Sequence, residues 1–98
     1  MITTKQRAYL RSLCNNLDPV LQIGKDGITD GTLAQANALF EARELFKIKV
    51  LNNCDASAKE ISQELAEKTS CEVVQCIGNK ISVYRHSTRN DVKHIELP

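Results

Sequence analysis

The spacing of apolar residues changes several times along the chain, and each change marks an element. In residues 4–16, TKQRAYLRSLCNN, Leu10, Leu13 and Cys14 recur at helical spacing and Leu17 extends the stripe; Thr4 is placed to cap the first turn. Pro19 cannot continue that helix, so LDP ends it. VLQI, residues 20–23, is a short strand, and IGKDGIT then places two glycines three apart. Thr29 caps the next helix, which runs to about Arg43 with Leu33, Ala36 and Phe40 along one face.

ELFKIKVLN, residues 44–52, switches to period two. Phe46, Ile48 and Val50 point one way and Lys47 and Lys49 the other, which predicts a half-buried strand with a cationic outer row. Ser57 and Glu60 fit a capping box opening a third helix, with Ile61 and Leu65 on its apolar edge. CEVVQCI (71–77), a Gly78-Asn79 turn and KISVYR (80–85) form a hairpin. In it Ser82 and Tyr84 face away from Ile81 and Val83, so Tyr84 is open to solvent. The tail beyond is polar until Ile95 and Leu97 and is expected to dock loosely or fray.

The order α-β-α-β-α-β-β predicts a two-layer α/β fold, a four-stranded mixed sheet with helices packed on it. Ninety-eight residues suit one domain, residues 1–98. The opening MITTKQRAYL lacks a signal-peptide core and no run is long enough to span a membrane, so a cytoplasmic monomer is expected.

Composition adds less than charge placement. The net charge is only +1, yet residues 1–25 carry Lys5, Arg7, Arg11 and Lys25 against Asp18 alone. The middle, 26–77, holds five basic and nine acidic groups, and 78–98 again has a basic excess in Lys80, Arg85, Arg89 and Lys93. If the ends meet in space, a cationic surface forms on a nearly neutral molecule. Two glycines around Lys25 and Asp26 let a ligand backbone approach, and a turn opening a helix offers N–H groups to phosphate. KH domains use a similar pair between two helices, but here a strand comes first. Walker and dinucleotide glycine patterns are absent.

Catalysis has little support. Cys14, Cys54, Cys71 and Cys76 include no CxxC pair, and Cys71 and Cys76, five apart in a strand, are expected on opposite faces. His86 and His94 lie in another segment and form no ligand cluster with them. Glu60, Glu64 and Glu67 read as a solvated helix face. No metal or cofactor is expected. The residues alone leave three readings open: a polyanion-binding module, a protein-binding module whose acidic middle docks a basic protein, or a thiol or metal enzyme.

Four segments in order, TKQRAYLRSL, LDPVLQIGKDGIT, ELFKIKV and IGNKISVYR, span residues 4–85. They resemble the YhbY-like family, the single-domain bacterial form of the CRM (chloroplast RNA splicing and ribosome maturation) domain. The resemblance implies an RNA-binding protein that associates with precursor large ribosomal subunits and assists their maturation. Ribosomal RNA is then the main partner and ribosomal proteins a second class. It implies a fold like the C-terminal domain of bacterial translation initiation factor three, with the last strand antiparallel to the rest and the first helix an addition. The family's glycine loop falls on Gly24, Lys25, Asp26 and Gly27, its basic helix on Lys5, Arg7 and Arg11, and its strand arginine on Arg85. Lys47 and Lys49 join these as further candidate contacts.

Overall fold

A computed structural model describes residues 2–98. In chain order the elements are α1 (Thr4–Cys14), β1 (Pro19–Ile23), α2 (Asp30–Arg43), β2 (Leu45–Val50), α3 (Ala58–Thr69), β3 (Glu72–Ile77) and β4 (Lys80–Tyr84). They form one four-stranded sheet in the order β1-β2-β4-β3. β1 and β2 pair parallel, and β4 is antiparallel to both β2 and β3. The architecture is the α-β-α-β-α-β-β mixed sheet expected from periodicity.

Local chemistry accounts for the helix ends. α1 is capped by Thr3, not Thr4: the Thr3 hydroxyl accepts the Gln6 N–H and the Gln6 side chain accepts the Thr3 N–H. The helix ends two residues short of Asn16, at Cys14. Thr29 accepts the Thr32 N–H to open α2, and Ser57 accepts the Glu60 N–H to open α3. Each such cap stabilises its helix by about 1 kcal/mol.

The two faces of the sheet bury different clusters. Phe46, Ile48 and Val50 of β2 join Ile81 and Val83 of β4, Leu21 and Ile23 of β1, Ala36 and Phe40 of α2, and Ile61 and Leu65 of α3. The Phe40 and Phe46 rings meet at a centroid distance of 4.7 Å. On the opposite face α1 lays Leu10 and Cys14 over Leu45, Val74 and Tyr84. Tyr84 therefore does not face solvent; it is only 5 % exposed. Its strand parity was legible, but the helix lying over that parity was not. Burial raises both the Tyr84 and Cys14 ionisations above their usual values.

A bulge corrects one sequence inference. Between Val73 and Gln75 the pairing of β3 with β4 slips by one residue. Val73 and Cys76 consequently pair with Val83 and Ile81, both on the α2/α3 face, where Cys71 is also buried. The inserted residue restores parity, so Cys71 and Cys76 share a face rather than opposing each other.

The tail after β4 makes specific contacts. Arg85 donates to the Asn37 side chain and the Thr69 carbonyl and stacks over the Phe40 ring. Ser87 Oγ donates to the Glu41 carbonyl, and the Thr88 N–H and hydroxyl both donate to the Glu41 carboxylate, holding that carboxyl below its usual range. Glu44, at the left-handed end of α2 (φ 66°), is fully buried. Its carboxylate accepts the Ser87 and Ile95 N–H groups, each at 2.7 Å. Burial would raise the Glu44 carboxyl, but hydrogen bonds from His94, Ser87 and Ile95 bring it below its ordinary value. Ile95 and Leu97 pack against the cluster beneath α1.

Candidate nucleic-acid interface

β1 and β2 run parallel and end together, and the glycine turn leaves the sheet there. The Leu51 N–H donates to the Ile23 carbonyl at 2.8 Å, tying the chain after β2 to the end of β1. The Gly27 N–H then closes onto the Gly24 carbonyl at 2.9 Å, leaving Lys25 and Asp26 exposed at the tip. The two glycines serve different ends. Gly27 sits at φ 63°, a conformation costly for a residue with a Cβ, in open space. Gly24 is constrained by proximity: an added Cβ would stand 3.3 Å from Asn53 Oδ1 and 3.5 Å from Leu51 Cδ1. Both glycines thus have a local structural reason, so the case for a bound polyanion rests on what surrounds the turn.

The N-terminus of α2 offers less to an anion than the sequence suggests. Its Thr32 N–H is taken by Thr29, and the acidic Asp30 occupies the first turn. Positive charge comes instead from the sheet. Cross-strand partners project to the same side, so the register assigns the face shared with α1. Leu45 pairs with Tyr84 beneath the helix. One step nearer the turn Lys47 pairs with Ser82, and the next row places Lys49 opposite Lys80. Gln22 flanks Lys49 on β1, and Ile77 flanks Lys80 on β3. That last row is uncovered: Gln22 and Lys80 are exposed, and Ile77 is 66 % exposed. Among the described residues, none of Lys25, Lys47, Lys49 and Lys80 has a carboxylate within ion-pair distance.

α1 borders this surface. Its Cys14 lies close to Ser82 and Lys47. Tyr9 and Leu13 turn toward tail residues 93–96, with which they line a shallow cavity. Arg7 and Arg11, four apart, lie on the other flank of the buried edge. Arg7 is partly engaged, donating to the Val73 carbonyl and standing 4.0 Å from Glu72. Arg11 is exposed, and Lys5 lies on the outer side of the helix.

The register thus puts Lys47 and Lys49 on the face that α1 partly covers, and the turn of Gly24, Lys25, Asp26 and Gly27 leaves the sheet at the end of β1, just beyond the Gln22–Lys49 row, while the Arg7 and Arg11 flank of α1 lies toward β3. That face does not include Arg85, whose strand parity carries it to the α2/α3 face, where it ties Asn37 and Thr69 together.

Comparison with known proteins identifies the family. The model of the CRS1 / YhbY (CRM) domain matches residues 2–85. The chain belongs to the CRM domain family. Over 98 residues it is 41 % identical to the "Probable RNA-binding protein YqeI" of Bacillus subtilis, covering all of both chains. It is 32 % identical over 97 residues to an "RNA-binding protein" of Haemophilus influenzae, covering 99 % of this chain and 95 % of that one. The solution structure of a hypothetical protein from Staphylococcus aureus superposes with a TM-score of 0.81 at 48 % identity, each chain covered completely. The two named relatives carry the names of RNA-binding proteins, not of enzymes. Among the described residues of this CRM domain, no helix is long and apolar enough to cross a membrane.

Sequence reasoning overlooked Lys80 and Gln22 in this CRM domain. Lys80 has the parity of Ser82 and Tyr84 in KISVYR, which would have placed it on the face of Lys47 and Lys49 had the register been known. Only the pairing of β2 with β4 sets two lysines opposite each other.

Proposed function

We propose that this CRM domain binds ribosomal RNA in precursor large ribosomal subunits through its sheet face, glycine turn and first helix, and so assists ribosome maturation in the cytoplasm as a monomeric single domain. The observation that carries the reading is the Lys49–Lys80 pair. Like charges directly opposite on neighbouring strands are destabilising, and here no carboxylate among the described residues compensates them. A polyanion supplies the missing counter-charge. Gly24 and Gly27 let the loop lie against the nucleic-acid backbone while Lys25, Lys47, Lys49, Lys80 and Arg11 contact phosphates. Among the described residues the sheet strands carry no exposed aromatic on this face, since Tyr84 is buried, and Tyr9 of α1 turns toward the tail, so base stacking contributes little. Recognition then depends on backbone and shape more than on base edges.

The test is affinity for purified ribosomal RNA fragments across a salt series. A folded Lys49→Ala, Lys80→Ala variant should bind more weakly, its salt slope flattened by roughly 0.7–0.9 for each phosphate it no longer neutralises. Gly24→Asp and Lys25→Glu test the turn in the same assay. Unchanged affinity in the folded lysine variant removes the sheet row. A folded wild-type protein that ignores RNA in dilute buffer favours docking on a ribosomal protein instead.

A further inference from the structure

Outside the cationic face, the described residues contain one convergence of ligand-type side chains. The Glu44 carboxylate at the junction of α2 and β2 meets His86 and His94 of the tail. His94 Nδ1 lies 2.7 Å and His86 Nδ1 3.3 Å from the same oxygen, Oε2. The Ser87 N–H donates to that oxygen too, at 2.7 Å, while Oε1 accepts only the Ile95 N–H. A carboxylate oxygen offers two lone pairs. Three nitrogens therefore crowd one atom of a fully buried anion, and two of them belong to imidazoles stacked 4.4 Å apart. Two protonated rings at that separation repel, so hydrogen bonding alone is a poor account of the pair.

We propose that Glu44, His86 and His94 form a binding site for a divalent transition-metal ion that staples the C-terminal tail to the end of α2. Two imidazoles and a carboxylate suit zinc, cobalt or nickel rather than magnesium or calcium. With bonds of about 2.0–2.1 Å, tetrahedral ligand atoms stand roughly 3.3 Å apart. The His86–Glu44 separation is already 3.3 Å, and all three ligand atoms lie within 4.8 Å of one another. The rings are stacked with their planes 19° from parallel, and both present Nδ1 to the same carboxylate oxygen. His86 is 65 % exposed and free to turn until the two nitrogens converge. The supporting contacts are present. Backbone N–H groups of Ser87 and Ile95 hold the carboxylate, the type of contact that orients a metal ligand. The fourth position opens to solvent beside His86. Binding displaces the Nδ1 protons to buffer.

The experiment uses full-length protein stripped with a chelator and titrated with Co2+ alone, followed by visible absorption, and with Zn2+ alone, followed by hydrogen exchange. Saturation at one equivalent is expected, with a d–d spectrum free of thiolate charge transfer. Amide exchange in residues 86–95 should slow at least tenfold. His86→Ala, which removes only an exposed ring, should weaken binding at least tenfold and keep the fold; His94→Ala should weaken it further. A Cys54→Ser, Cys76→Ser variant should bind as the wild type does. Absence of saturable binding overturns the proposal. So does a thiolate spectrum, or affinity unchanged in a His86→Ala, His94→Ala variant. None of these readouts depends on RNA.

Discussion

The two faces of the sheet share four strands and have opposite chemistry. Toward α2 and α3 each strand presents Val, Ile, Leu or Phe, and the cluster is closed by aromatic contact and by Arg85 reaching across both helices. Toward α1 the same strands carry Lys47, Lys49, Lys80, Ser82 and Gln22, and the helix covers only the end near Leu45 and Tyr84. The first face is organised for cohesion. The second leaves charge uncompensated where cohesion would favour a carboxylate or an apolar side chain. That asymmetry separates stability from binding within single strands: Phe46 and Lys47 are neighbours in sequence and belong to different tasks.

The sharpest way to break this division is at its cohesive side. Phe40→Ala removes the ring that packs on Phe46 and underlies Arg85. A buried Phe→Ala change costs about 3–5 kcal/mol, a large share of what a chain this small possesses. Urea denaturation should show the midpoint collapsing. The sheet-face counterpart is Lys49→Glu with Lys80→Glu. It should lower RNA affinity at low salt by roughly 10–100-fold, on the order of 1.4–2.7 kcal/mol, with the urea midpoint nearly unmoved. A large stability loss in that variant would show that both faces hold the fold.

Much of this division is legible in the sequence, because strand parity translates directly into face. ELFKIKV and KISVYR alternate cleanly, so Phe46, Ile48, Ile81 and Val83 could be assigned to a core and Lys47 and Lys49 to an outer row. What parity does not carry is coverage. Tyr84 has outer parity, but α1 lies over it. Register is equally silent in sequence: Lys49 meets Lys80 only through β2–β4 pairing, and the β3 bulge inverts the expected relation of Cys71 to Cys76. Glu44 and His94, fifty residues apart, meet through tail packing that leaves no periodic trace. The glycine turn was the opposite case. Its spacing was conspicuous, yet only geometry separates the positive φ of Gly27 from the close approach at Gly24.

Two intermediate changes sharpen the comparison. Gly27→Ala forces a Cβ into the left-handed region and should cost about 1–2 kcal/mol in thermal or urea unfolding. Gly24→Ala should cost less, since the Asn53 side chain can yield by a few tenths of an ångström. Arg85→Ala deletes hydrogen bonds to Asn37 and Thr69 and the stack on Phe40, and about 1–3 kcal/mol of stability is expected to go with them. Its RNA affinity, measured below the unfolding transition, should stay within twofold of the parent. A larger fall would extend the interface around the sheet edge to a residue that the geometry places on the far side.

The smallest expected effect is also the most discriminating. Lys49→Ala alone removes one member of a like-charged cross-strand pair on the uncovered row. If that row exists for cohesion, through its aliphatic stems or a wider network, the substitution destabilises. If it exists for an anionic partner, deleting one charge relieves repulsion and should stabilise the free protein by roughly 0.2–0.5 kcal/mol, while RNA affinity falls. The gain should shrink as salt rises, because screening weakens repulsion between exposed charges beyond a short range. Opposite signs in the two measurements, with stability up and affinity down, are the signature of a surface whose local stability has been traded for binding. The same sign in both would mean that the Lys49–Lys80 row is held together by something other than its missing counter-charge.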